Sequence, residues 1–96
     1  MDEKKDDNVI FVGSKPFMNY VTAVSMQFTA KNLPEVIIKA RGKFISRAVD
    51  VAEVVTKKFL KEQNVKIKNI KIDSGEFKNK EGRQVNVSLI EITLTK

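Results

Sequence analysis

The 96-residue sequence predicts an α/β (α+β) two-layer sandwich, βαβαββ in chain order, in which a mixed four-stranded sheet carries two helices on one face. Three observations predict it. Two short apolar runs are each followed by a break and then by a helical apolar stripe, which makes two successive strand–helix units. Two longer segments with alternating character close the chain around a turn, as a hairpin does. The length and an apolar fraction of 42% supply one modest core rather than two.

Val9-Ile10-Phe11-Val12 is a short apolar run ended by Gly13, which suits a buried strand. Ser14 is placed to cap the following helix, and Pro16 suits a first helical turn because no N–H is needed there. Phe17, Val21, Val24 and Phe28 fall within about 60° on a wheel of 100° per residue, so residues 16–30 read as an amphipathic helix. Asn32-Leu33-Pro34 ends it. Val36-Ile37-Ile38 starts a second buried strand that runs to Arg41, and Gly42 breaks it. From Lys43 to Lys61 a long helical pattern spreads its apolar residues over about 180°, wider than one sheet contact needs. Deep burial explains that width, and so does a second contact surface such as a dimer partner. Asn64 closes the helix. Residues 65–72, VKIKNIKI, alternate as a half-exposed strand does, with a slip at Asn69-Ile70 that predicts a bulge or twist. Residues 73–82 are turn-rich, and 83–95 form a long strand whose alternation slips at Leu89-Ile90. The βαβ unit requires a parallel crossover and the final hairpin an antiparallel pair, hence the mixed sheet.

Composition excludes several functions. The chain has no cysteine, histidine or tryptophan. Disulfides, Cys/His zinc sites, haem or iron–sulfur ligation by those residues, and Ser-His-Asp or Cys-His nucleophiles are therefore out of reach. No cofactor and no metal is expected. No apolar run approaches a membrane span, and MDEKKDDN lacks the apolar stretch of a signal peptide, so the expectation is a cytoplasmic protein. Residues 1–8 read as a mobile polar tail and residues 9–96 as a single domain.

Charge is uneven. The tail carries four acids and two lysines; the remaining 16 basic and 8 acidic side chains give residues 9–96 a net +8. A small domain with that excess attracts polyanions.

Three motifs then resemble one family. Gly13-Ser14-Lys15-Pro16-Phe17-Met18-Asn19-Tyr20-Val21, the stretch Val36 to Asp50 (VIIKARGKFISRAVD), and Glu81-Gly82-Arg83-Gln84-Val85-Asn86-Val87-Ser88 followed by Ile90-Glu91-Ile92 are similar, in order and spacing, to the signatures of Alba proteins. The resemblance runs from about residue 9 to residue 96. It implies an archaeal chromatin protein, a homodimer of βαβαββ subunits associated with the chromosome. It also implies double-stranded DNA as ligand, with RNA binding known as well. Such dimers coat, bridge and condense DNA and associate side by side. Their hairpin arms reach along the minor groove while the body rests on the backbone. Relatives include subunits of RNase P and MRP.

The residues carry a matching chemistry. Lys15 lies in the loop where the family usually has two adjacent lysines, one of them an acetylation target; this chain has Ser14 at the first position and keeps Lys15 as the modification candidate. A dimer thus lacks two charges on its binding face, which lowers the log–log salt slope by about 1.8 if both made phosphate contacts. The resemblance therefore implies weaker or more sequence-selective binding than is typical of the family. Arg41, Lys43 and Arg47 cluster at the second strand–helix junction, where Gly42 lets the backbone approach a ligand and the helix N-terminus favours an anion. Arg47 could instead pair with Asp50. Lys78, Lys80 and Arg83 flank the hairpin tip, a basic arm of net +1 once Glu76 and Glu81 are counted. Phe77 on that arm could wedge between bases, although packing on its own strand is commoner. Lys57 is spaced to pair with Glu53. The resemblance places dimer–dimer contacts at Lys58 and Phe59, whereas the helical wheel leaves Phe59 free to be core. Lys66, Lys68 and Lys71 have no aromatic between them, so they read as a solvated face and not as a stacking platform.

The leading expectation is a dimeric architectural DNA-binding protein that contacts mainly phosphate. The alternative is an RNA-binding or RNA-remodelling protein using the same surface. Catalysis is not expected: Ser14-Lys15 lacks an orienting third group, and no glycine-rich phosphate loop is present.

Overall fold

The computed structural model describes residues 8–96. Most of the expected polar tail, residues 1–7, lies outside the described residues. The elements are β1 (Val9–Phe11), α1 (Phe17–Thr29), β2 (Glu35–Arg41), α2 (Ile45–Val54), β3 (Lys66–Lys78) and β4 (Gln84–Thr95). They form the predicted sandwich. The sheet order is β1-β2-β4-β3, with β1 parallel to β2 and both other pairings antiparallel. Asn8 joins the ladder by accepting the Ile37 N–H at 2.8 Å.

Helix α1 packs on β1 and β2, and α2 on β2 and β4. Alternate residues of the two central strands face them: Val36, Ile38 and Ala40 from β2, and Ile90, Ile92 and Leu94 from β4, all buried. Val21, Val24 and Phe28 close the core from α1, and Val51, Ala52 and Val55 from α2 and the turn after it. The stripe read from α1 is therefore correct, except that Phe17 is only half-buried at the rim. Ser14 does not cap this helix. Pro16 occupies the N-cap position, with no side-chain cap, and its carbonyl accepts the Asn19 N–H at 3.0 Å. The C-terminus closes on Asn32 at φ 55°, with Leu33 N–H donating to the Gln27 carbonyl at 2.9 Å.

The second helical segment is not one regular helix. A 3₁₀ turn (Gly42–Phe44) leads into α2, a π turn (Val55–Phe59) follows it, and a 3₁₀ turn (Lys61–Gln63) ends at Asn64, φ 59°. Leu60 N–H reaches back to the Val55 carbonyl at 2.8 Å, a five-residue step. That widened turn carries Phe59 out of the register of a 3.6-residue wheel and leaves it half exposed while Leu60 is buried. Gly42 stands at φ +57°, where a Cβ would meet Val87 Cγ1 at 3.4 Å, an ordinary contact. The cost of Gly42→Ala is therefore conformational, about 1–2 kcal/mol. It should lower the melting temperature by roughly 4–8 °C per kcal/mol in thermal circular dichroism; an unchanged melting temperature would show that the junction relaxes freely.

The hairpin differs from expectation in length. Residues 73–78, read as turn, continue β3, and the turn shrinks to residues 79–83, held by Asn79 Oδ1 accepting the Glu81 and Arg83 N–H groups at 2.9 and 3.0 Å. The reason is that turn-forming residues such as Asp73, Ser74 and Gly75 are here paired with Leu89, Ser88 and Val87. The bulge in β3 falls at Lys68, one residue before the predicted slip. The extra residue puts Ile67 and Ile70, three apart, on the same face, where a regular strand would separate them. The slip in β4 is no bulge: its pairing with β2 and β3 runs through Leu89-Ile90 unbroken, and only the apolar face changes side.

Candidate nucleic-acid interface

Because β1 and β2 are parallel, both of their C-terminal ends lie at one end of the sheet. The first leads into the Gly13–Pro16 loop with Lys15; the second leads into Arg41, Gly42 and Lys43. Strand β2 stops at the Arg41–Leu89 pair, so β4 before Leu89 and its partner residues in β3 run on from this same end as a free two-stranded ribbon. Ser74–Ser88 through Lys78–Gln84 are its pairs, about 17 Å of strand at ~3.4 Å per residue. Lys78 ends β3, and Lys80 and Arg83 sit in the turn. Lys15, Arg41, Lys43, Lys78, Lys80 and Arg83 are all exposed.

Arg47 is placed differently. It is half-buried, and Nη1 donates to the Gly13 carbonyl at 2.8 Å while the guanidinium lies 5.8 Å from the Tyr20 ring centre. No ion pair between Arg47 and Asp50 forms among the described residues. The buried Tyr20 hydroxyl accepts two backbone N–H groups, from Gly13 and Lys15, each at 3.0 Å. Tyr20 and Arg47 thus fix the loop that presents Lys15. This brace was not visible in sequence, because nothing in either helical pattern says that the Tyr20 hydroxyl and the Arg47 guanidinium reach the same loop. Tyr20→Phe leaves both N–H groups without this partner and should cost about 1–3 kcal/mol, with faster amide exchange at Gly13 and Lys15 by NMR. Unchanged exchange at these two amides would refute the brace.

Arg41 lies over the Phe77 ring, 4.3 Å from its centre, so Phe77 is folded back toward the body instead of standing out as a wedge. Gly75 makes this possible: a Cβ there would meet the Phe77 ring at 2.9 Å. Stacking uses the flat face of the guanidinium and leaves its in-plane donors available. Lys57 pairs with Glu53 at 3.1 Å, as its spacing predicts. Lys68 pairs with Glu35 at 3.0 Å and Lys39 with Glu91 at 3.4 Å. Lys58 and Phe59 are exposed on the π turn, away from the cationic end.

One exposed surface was missed in the sequence. Ile67, Ile70 and Ile72 pair with Leu94, Ile92 and Ile90, and so lie on the helix side of the sheet, yet neither helix covers β3. Ile70 is 56% and Ile72 76% exposed. The alternation of VKIKNIKI splits Ile67 from Ile70 and Ile72, and it takes the bulge at Lys68 to bring all three to one face; neither says whether this chain supplies their cover.

The fold and the site together define a class: a two-layer α/β domain that gathers its cations and a basic ribbon at the carboxyl ends of its parallel strands. The Alba family profile matches residues 8–74. The chain is 54% identical over 90 residues to the DNA/RNA-binding protein Alba of Methanococcus maripaludis, covering 94% of this chain and 99% of that one. It is 54% identical over 89 residues to the protein of the same name from Methanocella arvoryzae, covering 93% and 90%. Alba from Thermoplasma volcanium superposes with a TM-score of 0.84 at 50% identity, covering 93% of this chain and all of that one. The chain belongs to the Alba family. Its relatives are named as DNA/RNA-binding proteins, a non-enzymatic role. No helix among the described residues is long and apolar enough to cross a membrane.

Proposed function

We propose that the protein is a homodimeric architectural DNA-binding protein that holds duplex DNA mainly by its phosphates. The observation that carries this reading is the convergence of Lys15, Arg41, Lys43 and the basic ribbon on one end of a domain whose residues 9–96 carry a net +8. Point charges spread along a rigid edge and an arm suit a regular polyanion and read little base sequence. The arms, with Lys78, Lys80 and Arg83, would follow the minor groove from the body's seat on the backbone. Arg47 contributes from behind, through the Lys15 loop and with its remaining donors. Ser14 in place of a second loop lysine lowers non-specific affinity and leaves more room for base preference. Lys15, exposed and fixed in place by its own backbone, is the modification candidate.

The dimer reading is supported by Ile67, Ile70 and Ile72, an apolar face within one strand's width of the core that a second copy can cover. Phe59, half exposed beside Lys58, supports side-by-side association of dimers along the duplex. The working location is the chromosome in the cytoplasm. RNA is the second reading, favoured by the names of the relatives.

The test is fluorescence anisotropy against salt on several unrelated DNA duplexes and one RNA duplex. A steep slope with near-equal affinity across the DNAs is expected. Salt-independent binding would overturn the reading, and a clear preference for the RNA duplex would replace it with the second.

A further inference from the structure

We infer that the sheet face opposite the helices carries a second site, which takes an unpaired base of single-stranded RNA; the inference rests on the nucleic-acid reading above. Phe11, on the edge strand β1, is 70% exposed and turned away from the core. It pairs with Lys39, which pairs with Glu91, and Arg41 pairs with Leu89 one step further along the same face. Phe77 folds back beneath Arg41 at 4.3 Å. Phe11, Lys39, Arg41, Phe77, Leu89 and Glu91 together line a concavity of about 550 Å³, a volume in the range of ligand sites.

The chemistry selects the occupant. The exposed Phe11 ring, with the Lys39 ammonium 5.9 Å from its centre, and the Arg41 guanidinium over Phe77 are surfaces of the kind on which bases lie. Glu91 holds a carboxylate beside them. Its Oε2 pairs with Lys39 at 3.4 Å, and Oε1, with no partner among the described residues, can accept from the amino and imino groups of a base edge. Gly13 also borders the concavity, which leads the strand's phosphates toward the Lys15 loop. A base inside a duplex is not available for this; unpaired bases are displayed above all in RNA loops and single strands. The lysines of β3 do not take part, in keeping with the absence of aromatics among them.

The test uses the full chain and four probes: an unstructured RNA about 12 nucleotides long, the DNA strand of the same sequence, and a duplex of each. Phe11→Ala should lower affinity for single-stranded RNA by about 5-fold to 150-fold, leave duplex DNA affinity unchanged, and be rescued by Phe11→Trp. Because Phe11 is exposed, both variants should keep the melting temperature of the parent. In NMR, the Phe11 ring protons should shift upfield when the RNA strand is added. An unchanged RNA affinity in Phe11→Ala, or an equal loss on duplex DNA, overturns the base site while the duplex reading survives. Equal binding and equal loss on the DNA strand overturn the assignment to RNA. Failure of the parent chain to bind any of the four probes sinks the nucleic-acid reading itself.

Discussion

In the proposed homodimer, replacing Ile70 and Ile72 by lysine should move the particle from twice the 10.9 kDa chain mass to the single value in size-exclusion chromatography with light scattering. The fold should survive, since both side chains are largely exposed in the isolated subunit. Burying an isoleucine side chain is worth about 1.5–3 kcal/mol. A two-fold interface contains each position twice, so the double variant removes four such terms and sets four ammonium groups against an apolar surface. At about 1.4 kcal/mol per tenfold, the dissociation constant should rise by roughly ten-thousandfold or more. A variant that still runs at the dimer mass would show that the isoleucine face is not the interface.

The second large effect concerns charge. Lys15, Lys43 and Arg83 make no side-chain hydrogen bond or ion pair among the described residues, so removing them costs the fold little. The triple change Lys15→Ala, Lys43→Ala, Arg83→Ala should flatten the log–log salt dependence of duplex binding by about 0.9 for each lost phosphate contact, or about 5 units for a dimer. Affinity at low salt should fall by orders of magnitude on every duplex alike, because phosphate contacts carry no sequence. The melting temperature of the free protein should not move. An unchanged slope would remove these three residues from the interface. Arg47→Ala is a poorer probe, since it also frees the Gly13 carbonyl and loosens the loop.

Much of the fold was legible because each element wrote its own period. Val21, Val24 and Phe28 announce a helix face, and VIIKAR followed by Gly42 announces a buried strand and its end. The convergence of the cations was legible too, since parallel strands must end on the same side. What escaped depends on distance and not on period. Nothing at Tyr20 says that its hydroxyl bends back to Gly13 and Lys15, and nothing at Arg41 says that Phe77, far along the chain, returns beneath it. For Phe59 the wheel left both core and contact open, and the π turn, which adds a residue to a turn the wheel takes as constant, is what exposes it. Turn-forming residues 73–75 sit in a strand because pairing with β4 outweighs their local preference.

The ribbon from Ser74–Ser88 to Lys78–Gln84 has strands on neither flank. Two strands alone are marginal in water, so this arm should open and reclose on a clock of its own, without the body unfolding. Its amides should exchange long before those of Ile38 or Ile92. Its peptide bonds after Lys78, Lys80 and Arg83 are the natural first cuts for trypsin. A ligand that lies along the arm would slow both processes there and leave the rates in the body nearly untouched. The molecule thus carries its own reporter of occupancy, readable from how quickly one end of it is digested.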